Sequence, residues 1–362
     1  MPGTKQFTPG NSGSRFGLLA LLLLIGCAGE GPEARLSDYA QRLARPLGAD
    51  FTPPAPAGVA SPPRWTSLQL AIDTGSIDGF DFLKLRGCAL QHTVARRNSS
   101  LGRVAPPSQR LILELEFLSQ VDDCIDYQAE QGEPALAELL ADNAQLKRQQ
   151  LPALIFNATL GNEEYRDFWR TSPVPSDYPA QTSSLVIDAL RQINAAADRW
   201  LAGDYRVDGE TLELLLADIA TGDGGELMSA LALQATHLDS ASQLLQDRAQ
   251  AAALCTGARE PRAAPILRTV VTRYFAGQVQ PWSAALSSRE HNLLPPVRSL
   301  EALLDPVLPA DYLSWQTGRD TALDEWSKAP RRHVRAIQAL LGSCYSEFAA
   351  AADVEETSAE GR

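Results

Sequence analysis

The stretch CALQHTVARRNSSLGRVAPPSQRLILELEFLSQVDDC, residues 88 to 124, decides the fold. Apolar residues recur in it at spacings of three and four, for example at Leu111, Leu115 and Leu118. This period is that of a helix with one buried face. A second helix is expected to begin near Pro107, because proline is tolerated in the first turn of a helix. The stretch therefore predicts two antiparallel helices joined by a turn, which is a helical hairpin.

Helical periodicity continues along most of the chain, whereas strict alternation of apolar and polar residues is scarce. Only SLQLAIDTG and RTVVTRYF have the pattern of strands. We therefore expect an all-α fold, either a multi-helix bundle or an irregular helical array, with at most one or two very short strands. The predicted helices lie at 79–103, 107–131, 134–160, 162–170, 181–202, 209–220, 224–256, 264–288, 295–304, 309–328 and 331–352.

The N-terminal region indicates where the protein is located. An apolar run of about ten residues follows Lys5 and Arg15, and this is half the length of roughly twenty residues that spans a bilayer. The run ends in LIGC, which resembles the lipobox of bacterial lipoproteins and implies cleavage before Cys27 and acylation of Cys27. An ordinary signal peptide beside a cysteine is the alternative. Because Ala28 follows instead of Asp, the sequence resembles lipoproteins anchored in the outer membrane and facing the periplasm.

Four cysteines remain once Cys27 is assigned to lipid, and an even number in an oxidising compartment suggests two disulfides. Three connectivities exist. In the predicted hairpin, Cys88 lies about 15 residues before the turn and Cys124 about 17 after it, which at 1.5 Å per residue is about 22 and 25 Å along the two axes. Neighbouring helices with such offsets can be bridged, so we prefer Cys88 with Cys124, and Cys255 with Cys344 follows by elimination.

The composition divides the chain into four parts: a signal peptide at 1–26, a tether rich in Pro, Gly and Ala at 27–66, a helical periplasmic domain at 67–353 and a disordered acidic tail at 354–362. Without Lys5 and Arg15, 30 basic side chains stand against 44 acidic ones, a net charge of −14. A nucleic acid partner is not expected, because phosphate binding requires a basic face. The chain shows no motif that would bind a cofactor.

Basic and amide side chains concentrate at the turn of the predicted hairpin. Guanidinium groups bind carboxylates and phosphates through paired hydrogen bonds, so this cluster is a candidate site for an anion or an acidic partner. The alternative is that the same side chains satisfy the free backbone groups of two helix ends. The candidate residues are Arg96, Arg97, Asn98, Ser99, Arg103, Gln109 and Arg110.

The lipobox, the DFLKLRGC segment, RNSSLG and SQRL together resemble an uncharacterised family of proteobacterial lipoproteins, the domain of unknown function 3080 family. The resemblance extends over most of the chain after the signal peptide. It implies no activity, substrate or cofactor.

Other motifs give no catalytic constellation. Asp73-Thr74-Gly75-Ser76 resembles the active loop of aspartic proteases, but the chain has no second such loop and few strand patterns. The four histidines stand in no metal-ligand spacing, so no metal site is predicted. The segment 329–345 begins with basic residues at the start of a predicted helix, where the helix dipole disfavours cations. Contact with anionic lipid, which a tethered domain has close by, or an acidic neighbour would explain this placement.

The expected function is therefore binding or scaffolding in the cell envelope, by a protein anchored through an N-terminal lipid. An envelope protein or peptidoglycan is the expected partner, and an enzyme is not favoured. The alternatives are an envelope hydrolase or a small-molecule carrier whose site is assembled between helices.

Overall fold

The computed structural model describes residues 31–52, 54–55, 58–73, 85–255 and 260–344. These residues form helices joined by turns and irregular segments, and no strand occurs among them. The all-α prediction is confirmed, in the form of an irregular helical array. The helices are α1 Pro32–Leu47, α2 Trp65–Leu68, α3 Leu90–Asn98, α4 Ser100–Arg103, α5 Pro107–Glu130, α6 Pro134–Ala158, α7 Glu163–Phe168, α8 Leu185–Leu201, α9 Gly209–Ala220, α10 Gly224–Ala251, α11 Ala263–Val270, α12 Gln280–Leu304, α13 Ala310–Ser327 and α14 Ala329–Leu341.

Helix α10 is the central element, because α1, α12, α13 and α14 all pack against it. It is buried around most of its circumference, so apolar residues such as Leu227, Leu231 and Leu238 occur on several of its sides. A helix surrounded by other helices needs no polar face. The α5–α6 hairpin contacts α9 through α5 and contacts α8 and α12 through α6, while α3 packs against α5 and α9 packs against α8 and α7.

The structure differs from the predicted tether over α1. Leu36, Tyr39, Ala40 and Leu43 form one buried stripe with the helical period, and α1 packs on α10 and α11. Such a stripe stabilises the fold only when another element covers it. The proline-rich residues that suggested a tether begin beyond α1, so the helix itself belongs to the core.

Helix α12 also differs from the prediction, which ended one helix at 288 and began another at 295. The structure continues through Pro295 and Pro296 as one helix. Pro295 and Pro296 have no N–H group to donate to the preceding turn of the helix. Burial of Leu293, Leu294 and Val297 stabilises the helix at this point despite the missing hydrogen bonds.

The segment RTVVTRYF is helical, as the helix predicted over 264–288 requires, although its pattern also suits a strand. It spans the end of α11 and the start of a π-helical segment, Val271–Val279, that leads into α12. Packing of Val270, Phe275 and Val279 in the core overrides the β propensity of its branched residues. The other strand candidate forms α2 and irregular chain up to Asp73.

Among the residues that the structure describes, none of the helices combines the length and the apolar composition that a bilayer crossing requires. The predicted signal peptide, Cys27 and the acidic tail lie outside the described residues.

Candidate interaction surface

The predicted helical hairpin is present, and a disulfide bond joins its two arms at the base. Cys88 is bonded to Cys124 and Cys255 to Cys344, so both preferred pairings are confirmed. The helix predicted from 79 to 103 is wrong in its bounds, because Cys88 lies in a turn before α3 and the helix breaks at Ser99. Ser99 is extended (φ −64°, ψ 164°) and its Oγ accepts the N–H of Gly102 at 3.0 Å, which starts the short helix α4.

A buried group of charges joins three helices under the tip of this hairpin. Arg97 Nε on α3 donates to Glu114 Oε1 on α5 at 2.7 Å, and Lys147 Nζ on α6 donates to the other oxygen of the same carboxylate. The three side chains are only 16%, 8% and 4% exposed. Burial lowers the pKa of the Lys147 ammonium, and the attraction of Glu114, which acts to raise this pKa, only partly offsets the effect. The predicted role of Arg97 in binding an outside anion is therefore corrected, because its guanidinium is held inside the protein.

The other predicted residues at the turn separate into two groups. Arg96 pairs with Glu116, Ser99 caps α4, and Gln109 donates to Glu213 Oε1 of α9 at 2.6 Å. These contacts agree with the alternative that the cluster satisfies helix ends and neighbouring acids. Asn98 is exposed beside them.

Arg103 and Arg110 form the second group. Arg110 Nη2 donates to the carbonyl of Arg103 at 3.3 Å, and both side chains are exposed. Neither has a carboxylate partner among the described residues. Two apolar side chains accompany them: Leu101 is 79% and Val104 75% exposed, more than any other large apolar residue in the described ranges. We call Leu101, Arg103, Val104 and Arg110 the tip surface.

The histidines and the Asp-Thr-Gly-Ser motif do not add to a site. His237 and His333 are buried and hydrogen-bonded to neighbouring helices, while His92 and His291 are exposed. The described part of the chain contains no group of three metal-ligating residues that could hold an ion. Asp73 lies in irregular chain, and the rest of its motif falls outside the described residues.

Polar groups also converge at the glycine-rich turn before α10. Arg289 donates to Asp223 through two nitrogens, and the hydroxyl of Tyr178 donates to Asp223 Oδ2 at 2.8 Å. Burial raises the pKa of Tyr178. A cavity of about 300 Å³ lies beside these groups. Because each charge is already matched by a neighbour, the arrangement is that of a structural contact.

A second buried ion pair was not predicted. Glu301 and Arg319 are each 1% exposed and are joined by two hydrogen bonds of 2.7 and 2.8 Å. The hydroxyl of Tyr312 donates to Glu301 at 2.6 Å, and the guanidinium lies 4.8 Å from the ring centre of Trp169. The sequence contains one sign that this carboxylate is buried. Glu301 shares a helix face with apolar Val297 and Leu304.

These features define an all-α protein with two disulfides, buried ion pairs and an exposed apolar and basic tip. A model of a family of proteins of unknown function (DUF3080) matches residues 36–347, so the chain belongs to that family. The matched region includes most of α1, in agreement with its place in the core. No curated protein and no solved structure matches the chain.

Proposed function

We propose that this protein is a lipid-anchored component of the cell envelope that binds a partner protein through its tip surface. The anchor is Cys27 of the lipobox, and the location is the periplasmic face of the outer membrane. The observation that carries the binding function is the exposure of Leu101 and Val104 next to two arginines that lack a carboxylate partner among the described residues.

The chemistry of the tip surface indicates the kind of partner. Full burial of Leu101 and Val104 would contribute about 1.5–3 kcal/mol each to the free energy of binding. Such burial requires an apolar pocket on the partner. Arg103 and Arg110 would match carboxylates at the rim of that pocket, and arginine at such positions gives specificity through paired hydrogen bonds. The expected partner is therefore a protein with an apolar depression bordered by Asp or Glu.

The hairpin presents this surface on a rigid support. The disulfide at Cys88, the buried carboxylate of Glu114 and the Ser99 cap fix the path of the chain on both sides of α4. Support of this kind lowers the entropy lost when a surface binds, because the side chains are already positioned. A protein partner is favoured over an anionic lipid surface, since the chain without Lys5 and Arg15 has a net charge of −14 and is repelled by such a surface as a whole.

Photo-crosslinking in intact cells tests the proposal. A photoreactive amino acid at position 104 should give one discrete protein adduct, whereas the same group at Leu185, which is 60% exposed on α8, should not. The adduct should disappear when Arg103→Glu and Arg110→Glu are combined. The captured protein, once purified, should bind the wild type at least tenfold more tightly than the double variant.

Two results would contradict the proposal. Transfer of the crosslink to phospholipid or peptidoglycan would identify a different class of partner. The same set of adducts from positions 104 and 185 would mean that the tip has no preferred contact.

A further inference from the structure

A cavity of about 410 Å³ lies between the start of α12 and the first turns of α14. Arg331, Arg335 and Gln338 line one side, at positions i, i+4 and i+7 of α14, while Gln280 and Ser283 line the other side from α12. The residues that line it are polar, basic or apolar, and within the part of the chain that the structure describes none of them is acidic.

The two arginines of this cavity have no ion pair with any described residue. Their neighbour Arg332 shows the contrast, because it is held at 2.7 Å by Asp239 and also at 2.7 Å by Glu325. Arg331 and Arg335 are exposed in the first two turns of α14, and the helix dipole makes a cation unfavourable in the first turn, where Arg331 lies. Neither a carboxylate among the described residues nor the helix dipole therefore offsets the positive charges of Arg331 and Arg335.

Ser283 gives independent evidence for a ligand. Its side chain is buried, with 8% of the residue exposed, and its Oγ has no hydrogen-bond partner among the described residues. Buried hydroxyl groups nearly always have a partner, because a missing bond costs the full desolvation of the group. Ser283 is one of the residues that line the same cavity as the arginines, so a ligand that enters the cavity lies beside both.

We propose that this cavity binds the phosphate group of a small organic ligand. Two guanidinium groups, a hydroxyl and the amides of Gln280 and Gln338 supply more donors than the two oxygens of a carboxylate can accept, whereas a phosphate offers three or more acceptors. Phe275, which is buried at the edge of the cavity, provides an apolar wall for the carbon part of the ligand. The phosphate belongs either to a soluble phosphomonoester or to a phospholipid headgroup. This site shares no residue with the tip surface, so neither proposal depends on the other.

The test measures binding of glycerol 3-phosphate to the full chain by titration calorimetry, together with flotation on vesicles of phosphatidylglycerol. Arg331→Gln combined with Arg335→Gln should weaken the interaction at least tenfold. The matched control is Arg166→Gln combined with Arg191→Gln, which removes the same charge from exposed positions and should leave binding unchanged. Binding of the soluble compound alone supports a soluble ligand, and binding of vesicles supports a headgroup.

Ser283→Ala separates a ligand contact from a structural role. Because Ser283 Oγ has no partner among the residues that the structure describes, the variant should melt at the wild-type temperature or above it. Its stabilisation by saturating glycerol 3-phosphate should nevertheless fall to less than half. The proposal is overturned if neither probe binds, if the control pair weakens binding as much as the cavity pair, or if Ser283→Ala retains the full stabilisation.

Discussion

The hydroxyl of Tyr39 lies 2.6 Å from Nε2 of His333, and this contact joins two residues 294 positions apart. The other ring nitrogen, Nδ1, lies 2.8 Å from Ser242 Oγ, which donates to the carbonyl of Leu238 at 2.6 Å. The pattern assigns a neutral imidazole with its proton on Nδ1, accepting from Tyr39 at Nε2. A single histidine thus connects α1, α10 and α14 at the centre of the fold.

Stability should fall in acid because of His333. Burial lowers the pKa of this side chain from 6.5 to about 4, so the unfolded chain takes up a proton at higher pH than the folded protein. As the pH falls from 6.5 to 4, the free energy of unfolding should decrease by about 1.4 kcal/mol per pH unit, roughly 3 kcal/mol in total. Burial also lowers the pKa of His237, which acts in the same direction.

Urea unfolding between pH 7.5 and 4 checks this prediction. His333→Gln should be less stable than the wild type at pH 7.5 but should lose less stability on acidification. His92→Gln, at an exposed position, is the control for losing an imidazole. Equal pH slopes for the wild type and His333→Gln would show that carboxylates alone cause the acid sensitivity.

Glu114→Gln should destabilise the protein by about 3–5 kcal/mol, because it leaves the buried cations of Lys147 and Arg97 without their carboxylate. Adding Lys147→Met should recover part of the loss. The control is Asp122→Asn, which breaks an exposed pair with Arg148 and should cost less than about 1 kcal/mol. Chemical denaturation measures all of these variants, and a small effect of Glu114→Gln would mean that water reaches the group.

Arg319→Lys should cost about 2 kcal/mol or more, although it conserves the charge. Lysine cannot form the two parallel hydrogen bonds to Glu301 or lie flat against the ring of Trp169. Arg298→Lys, at a half-exposed position with a long 3.7 Å contact, should stay within about 0.5 kcal/mol of the wild type. Thermal unfolding distinguishes the two, and equal melting temperatures would contradict the expected role of the guanidinium.

Removal of either disulfide should cost roughly 4 kcal/mol, because each closes a long segment, with separations of 36 and 89 residues. Paired serine substitutions at Cys88 and Cys124, or at Cys255 and Cys344, allow the loss to be measured by denaturation. Peptide mapping without reduction should show the same two links. A link between Cys88 and Cys255 would contradict the structure.

Cells labelled with an alkyne fatty acid should yield a labelled wild-type protein and an unlabelled Cys27→Ala variant. The expectation rests on the sequence LIGC at residues 24–27. The variant should also leave the membrane fraction. Label retained on Cys27→Ala would end the lipoprotein interpretation.

The sequence by itself determined the class of fold and its most local features. Apolar residues at helical spacing predicted α5, α6, α9 and α13 nearly to their ends, and the turn between α3 and α5 predicted the bond from Cys88 to Cys124. These features follow from the period of a helix and from residues close together in the chain, so they need no knowledge of distant contacts.

Only the tertiary structure decided which elements form the core and which polar groups lie within it. The sequence of α1 was assigned to a tether, and only the packing of α10 and α11 on its apolar face shows that it belongs to the core. Arg97 reads as one member of an exposed basic cluster until Glu114 binds it. The contacts of Tyr39 with His333 and of Ser283 with its cavity leave no local pattern, because the energy of a buried polar group depends on partners that the fold brings from elsewhere in the chain.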